Sequence, residues 1–127
     1  MRYLVAPTAY KGTLSPVQAA QVIAAHLDGE VDLCPIADGG TGWLEVWAYH
    51  FPDAQRHAVE AHDALLQPRC AEWLLLPFGA AVIESAQAVG IHLLTQESLE
   101  PLRASSFGVG EMLAAAASHP DTRALWL

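Results

Sequence analysis

The 127 residues are 53% hydrophobic with a positive mean hydropathy, which excludes a disordered chain and suits a single domain, 1–127, with a buried core. The formal charge of −8 at pH 7 excludes a nucleic-acid partner, because no basic stripe is present to displace counterions from phosphates. No apolar run approaches the ~18 residues of a membrane span, and Pro7 and Lys11 break the stretch after Arg2 too early for a signal peptide, so a soluble, cytoplasmic chain with no membrane partner is expected.

In chain order, Arg2 to Ala6 reads as a short strand ended by Pro7, followed by the loop Thr8 to Thr13. Ser15-Pro16 then opens a helix, serine as N-cap and proline at the first helical position. Its spacing predicts a buried stripe of Val17, Ala20, Ile23, Ala24 and Leu27, closed by Gly29. Val31 to Ala37 is the second predicted strand and runs into Asp38-Gly39-Gly40-Thr41-Gly42. Leu44, Trp47, Ala48 and Phe51 follow at helical spacing, and Pro52 stops that helix. Arg56 to Ala61 alternates poorly as a strand, whereas Arg69 to Leu76 and Ala80 to Ser85 form a hairpin around Pro77-Phe78-Gly79. A helical turn over Ser85 to Val89 ends at Gly90. A helix over about Gly108 to Ser118 buries Val109, Met112, Leu113 and Ala116, and Thr122 to Leu127 reads as a last, buried strand. The succession strand, helix, strand, helix indicates an α/β fold: a Rossmann-like parallel or mixed sheet flanked by helices, with the hairpin in its middle. Cys34 and Cys70 lie in apolar runs without metal-ligand spacing and are expected to be reduced core thiols; the six histidines are scattered.

In open α/β sheets, ligands collect beyond the carboxyl ends of the strands. Two loops there carry unusual residues. The first places Lys11, the sole lysine beside five arginines, next to Gly12. It is no Walker A loop, because the lysine precedes its glycine. The second sets Asp38 beside Gly39, Gly40 and Gly42 at a helix start. Together they offer a cation and backbone N–H groups for phosphate oxygens and a carboxylate for Mg²⁺ or an attacking hydroxyl, the mixture that phosphoryl transfer needs. A solvated lysine and a helix-capping aspartate are the plainer readings of the same residues. Glu84 emerges from an apolar strand and needs a partner or a ligand. Ser106 and Gly108, in Ser105-Ser106-Phe107-Gly108-Val109-Gly110, form either a phosphate cradle or an ordinary helix start.

Four motifs in order, Ala6-Pro7-Thr8-Ala9-Tyr10-Lys11-Gly12-Thr13-Leu14-Ser15, Ala37 to Gly42, Ala81-Val82-Ile83-Glu84 followed by Ala86, and Ser106-Phe107-Gly108-Val109-Gly110-Glu111, resemble bacterial type I glycerate kinases over the whole chain. Thr8 and Ala9 replace an aspartate and a serine of the family, Thr41 replaces a glutamate, and Asp63-Ala64-Leu65-Leu66 replaces a Gly-Pro-Leu-Gly turn. The resemblance implies ATP-dependent phosphorylation of D-glycerate with Mg²⁺. Lys11 would then stabilise a phosphoryl or carboxylate oxygen, and Asp38 would orient or deprotonate the hydroxyl or hold Mg²⁺. Gly12, Gly39, Gly40, Gly42 and Gly108 would give close backbone contacts, with Glu84 and Ser106 touching substrate. Family members continue past a strand like Ala124 to Leu127 into a glycine-rich loop, so the fold is expected to be the N-terminal part of the family's, incomplete by itself. A truncated, non-catalytic module that binds a small anion, one half of a split kinase completed by a second polypeptide, and a homo-oligomer remain as alternatives.

Overall fold

The computed structural model describes residues 1–127. Strand β1 (Arg2–Val5) and strand β2 (Glu30–Leu33) pair in parallel around helix α1 (Pro16–Ala24). Helix α2 (Trp43–His50) leads to strands β3 (Gln55–His62), β4 (Pro68–Leu75) and β5 (Ala80–Ile83), then to the short helix α3 (Ala86–Val89), two 3₁₀ turns at Ile91–Leu93 and Gln96–Ser98, helix α4 (Phe107–Ala117) and strand β6 (Ala124–Trp126). The mixed α/β class, the flanking helices and the central hairpin are as the sequence indicates, but the strands divide between two sheets. One is β1-β2; the other has the order β3-β4-β5-β6, antiparallel except for its parallel β5–β6 pair.

The four-stranded sheet has helices on both faces, and its two-residue period sorts the core accordingly. Ala61, Ala71, Trp73, Leu75, Ala81 and Ile83 pack with Met112 and Ala116 of α4 and Ala88 of α3. Leu74, Leu76, Ala80 and Val82 face the other way, against Leu44, with Trp43, Trp47 and Phe51 at the margin. The register Leu74↔Val82 and Trp73↔Ile83 keeps each set on its own side.

Several expectations are corrected. β2 stops at Leu33 because Pro35 cannot donate to a ladder; even so, the Cys34 amide donates to the Val5 carbonyl and the Ile36 amide to the Pro7 carbonyl. The pairing thus outlasts both strands and delivers their loops side by side. Helix α1 ends at Ala24 with Ala25 as its C-cap, and its buried face is Pro16, Ala19 and Ala20, leaving Ile23 exposed. Gly29 is no cap: a Cβ there would meet the Met1 carbonyl oxygen, so it lets the start of β2 pass close to the N-terminus. Both cysteines are free, but Cys70 is exposed and Cys34 only half-buried; Cys70 shares the outward face of β4 with Glu72. β6 is exposed along its length rather than buried. No helix is long and apolar enough to cross a membrane.

Candidate active site

Beyond the carboxyl ends of β1 and β2 lies a cavity of about 830 Å³. Its walls are the loop Thr8–Leu14, the start of α1, residues Ala37, Asp38 and Gly40–Gly42, Glu45 of α2, and Ala86 with Gly90–His92. A cavity of about 200 Å³ at the Pro77–Gly79 turn is lined also by Asp53, Asp121 and Arg123; none of the four motif loops reaches it. The larger cavity is therefore the candidate site.

Each loop is shaped by its own hydrogen bonds. The Tyr10 carbonyl accepts from the Thr13 and Leu14 amides and from the Thr13 hydroxyl, while the Tyr10 amide donates back to the Leu14 carbonyl. This closed turn holds Lys11 and Gly12 at its exposed tip. In the second loop the Gly40 amide donates to Asp38 Oδ1 at 3.0 Å, and Asp38 Oδ2 has no hydrogen-bond partner. Gly12 and Gly39 have φ of +75° and +91°, and a Cβ at either would meet nothing within 4 Å. Their conformation favours glycine, and the space beside them is open.

The candidate residues do not all converge. Lys11, Gly12, Asp38, Gly40 and Gly42 line the cavity, whereas Gly39, in the same loop, is not part of its lining. Glu84 lies outside that lining: it is 2% exposed, and its Oε2 accepts from the Leu44 amide at 3.0 Å. Its visible partner is the first turn of α2, whose N-cap Gly42 has no side chain to satisfy the free amides. Ser106 and Gly108 are also outside the cavity. Gly108 is buried in the first turn of α4, where a Cβ would collide with the His62 carbonyl, so its small size serves helix-to-strand packing. Glu111 of the same motif meets His62 Nδ1 at 2.9 Å.

Sequence reading did not single out Ser15, Glu45 and His92 as cavity residues. Ser15 carries a legible capping signal, and the structure adds a second use: its hydroxyl donates to Glu45 Oε1 at 2.8 Å. Glu45 sits at an ordinary helical position and His92 in a 3₁₀ turn, so nothing local marks either.

Comparison with known proteins bears on the family and the fold. The profile of the glycerate kinase family matches residues 3–125. The glycerate 2-kinase of Escherichia coli K12 is 34% identical over 119 residues, covering 89% of this chain and 31% of that protein. A glycerate kinase of Halalkalibacterium halodurans is 33% identical over 119 residues, with 87% and 30% covered. A crystal structure from Salmonella typhimurium LT2, assigned as a glycerate kinase 2, superposes with a TM-score of 0.68 at 28% identity, covering 92% of this chain and 33% of that one. The chain spans about a third of the length of the curated relatives it matches.

Proposed function

The chain belongs to the glycerate kinase family, and we propose that its large cavity is the place where a kinase brings the hydroxyl of D-glycerate to the γ-phosphoryl group of ATP. One observation carries the reading: the lysine loop and the aspartate-glycine loop, with Lys11 and Asp38 27 residues apart, open into the same cavity.

The residues present fit the cofactor. Asp38 offers a hard carboxylate oxygen free of hydrogen bonds, and Mg²⁺ commonly takes one or two carboxylates, completing its shell with water and phosphate oxygens. Bound Mg-ATP supplies the transferable phosphoryl group and neutralises part of its charge. The chain's own groups do the rest. Lys11 Nζ at the loop tip balances charge on a phosphoryl or carboxylate oxygen, and the backbone near Gly12, Gly39, Gly40 and Gly42 permits close approach. Asp38 Oδ2 serves in one of two ways: it holds Mg²⁺, or it orients the substrate hydroxyl and takes its proton as the new O–P bond forms and the bond to the leaving ADP breaks. Glu84 acts through α2 in this scheme. Ser106 and Gly108 set the start of α4.

A coupled assay for ADP release by the 127-residue chain with D-glycerate and Mg-ATP tests the proposal. Glycerate-dependent turnover is expected, lost in Lys11→Ala and reduced by about 10²–10⁴ in Asp38→Asn. The asparagine keeps the acceptor for the Gly40 amide and removes the base. Near-normal turnover in Asp38→Asn would remove this residue from proton transfer. A second reading is a binding module or one half of a split kinase. It predicts binding of D-glycerate or Mg-ATP without turnover, and turnover restored by a second polypeptide in the split case.

A further inference from the structure

We infer that Glu45 is a positioning residue of this cavity: through Ser15 it ties the start of α2 to the turn that carries Lys11, and so sets how the two loops face one another. The inference rests on the kinase reading only for the identity of the ligand.

Each loop ends in a helix start, and the two starts touch. Gly42, the N-cap of α2, has no Cβ; one built there would lie 3.3 Å from Cδ of Pro16, the first residue of α1. Across this contact the Ser15 hydroxyl donates to Glu45 Oε1 at 2.8 Å, a charge-assisted bond in a half-buried setting. The hydroxyl has one proton to give, and Glu45 takes it. Its lone pair accepts from the Gln18 amide at 3.2 Å, and the Gln18 side chain returns to the Ser15 amide at 3.0 Å. Ser15 is thereby fixed from both sides.

From Ser15 the restraint runs into the lysine loop without a free joint. Leu14, its neighbour, is bonded in both directions to Tyr10, and Thr13 bonds to Tyr10 as well. Lys11 and Gly12 are the residues enclosed. Asp38, meanwhile, is tied through the Gly40 amide to the loop that becomes α2. One carboxylate oxygen therefore connects the element bearing Asp38 to the one bearing Lys11. Glu45 itself lines the cavity, and its Oε2 has no hydrogen-bond partner.

Backbone amide NMR spectra and hydrogen exchange of the whole chain, without ligand, test this directly. Glu45→Ala should shift the Tyr10–Leu14 amides, some 30 residues away in sequence, and speed Thr13 and Leu14 exchange by roughly tenfold, as expected for losing one charge-assisted hydrogen bond. Glu45→Gln keeps a carbonyl acceptor for Ser15 and should restore the wild-type pattern. A merely structural role would lower the thermal midpoint without singling out this loop. Unchanged Tyr10–Leu14 amides in Glu45→Ala, or a Glu45→Gln variant as perturbed as the alanine, would overturn the inference. Should Glu45→Ala fail to fold, Ser15→Thr, which keeps a hydroxyl, against Ser15→Ala puts the same question from the other end of the bond. A titration with Mg-ATP and D-glycerate gives the second readout, with roughly tenfold weaker binding expected for Glu45→Ala. Equal affinity of wild type and Glu45→Ala would refute the functional half of the inference. If the wild type binds neither ligand while the loop amides still respond to Glu45→Ala, the kinase reading falls and the positioning role stands.

Discussion

His57 lies flat against Trp73 at 4.4 Å between ring centroids and meets the His119 ring at 4.8 Å. Its Nε2 is buried without a hydrogen-bond partner. Burial first, and the neighbouring His119 second, hold the His57 pKa below the usual imidazole value of 6.5. His119 Nδ1 accepts from the Asp121 amide at 3.3 Å. The folded chain thus keeps His57 neutral at pH values where the unfolded chain has already bound a proton. The corresponding stability is complete above the ordinary imidazole range and is lost as pH falls through it toward the lowered value. Urea midpoints measured from about pH 8 down to about pH 5 should decline across the imidazole range, and His57→Phe, which keeps a ring on Trp73, should flatten that decline. A slope unchanged by the substitution would clear His57 of the effect. Leu66 poses a conformational problem of the same local kind. It is the one non-glycine residue with positive φ, +63°, and it is 51% exposed. The surrounding turn is held by Asp63 Oδ1, which accepts from the Leu65 and Gln67 amides. A left-handed conformation costs an L-residue roughly 1–2 kcal/mol, more than the entropy glycine adds to the unfolded chain. Leu66→Gly should therefore raise stability by up to about 1 kcal/mol, read as a higher urea midpoint at unchanged slope.

Helix α2 is the element on which the site leans most, and its start is supplied from elsewhere. Glu84, the residue that follows β5, gives the acceptor that Gly42 lacks. Glu84→Ala leaves the buried Leu44 amide unpaired, a loss of about 1–3 kcal/mol, while Glu84→Gln keeps an acceptor and should lose less. Equal losses for the two variants would show that charge, not the hydrogen bond, is the contribution. The sequence could mark Glu84 as needing a partner, but not which, because the partner lies 40 residues away. The same division runs through the fold. β1, its loop and α1 were legible because Pro7, Ser15 and Pro16 are local signals. The apolar run Val31 to Ala37 hides the end of β2, which Pro35 sets at Leu33. β3 read poorly because its inward face is only His57, Val59 and Ala61, with the histidine made compatible by Trp73 on the next strand. The split into two sheets was not legible, since β5 finds β6 across a register of Ala80↔Ala124. At the site, Lys11 and Asp38 stood out as charges beside glycines at strand ends. Glu45 and His92 acquire meaning only when the fold brings them to the cavity.

At the scale of the whole molecule, apolar surface remains uncovered. Leu4 is 71% exposed on β1, and on and beyond β6 Leu125 is 41%, Trp126 36% and Leu127 62% exposed. β6 pairs only with β5, so its outer edge presents unpaired backbone groups beside these side chains. Apolar side chains along an open strand edge are a template for association. A net charge of −8 opposes it, but that repulsion acts between exposed charges and weakens as salt shortens the Debye length. Hydrophobic pairing has no such dependence on modest salt. The two terms therefore separate experimentally: the mass seen by light scattering should rise above the 13.6 kDa monomer with protein concentration, and more steeply in added salt. Leu125→Lys, which puts a charge on the β6 edge, should suppress that rise, whereas Leu4→Lys on the other sheet should suppress it less if β6 is the contact. A chain that stays monomeric at high concentration and high salt would show that the exposed edge is too short to template pairing. Suppression by Leu4→Lys alone would move the contact to the β1-β2 sheet, beside the cavity, where association and ligand binding would compete.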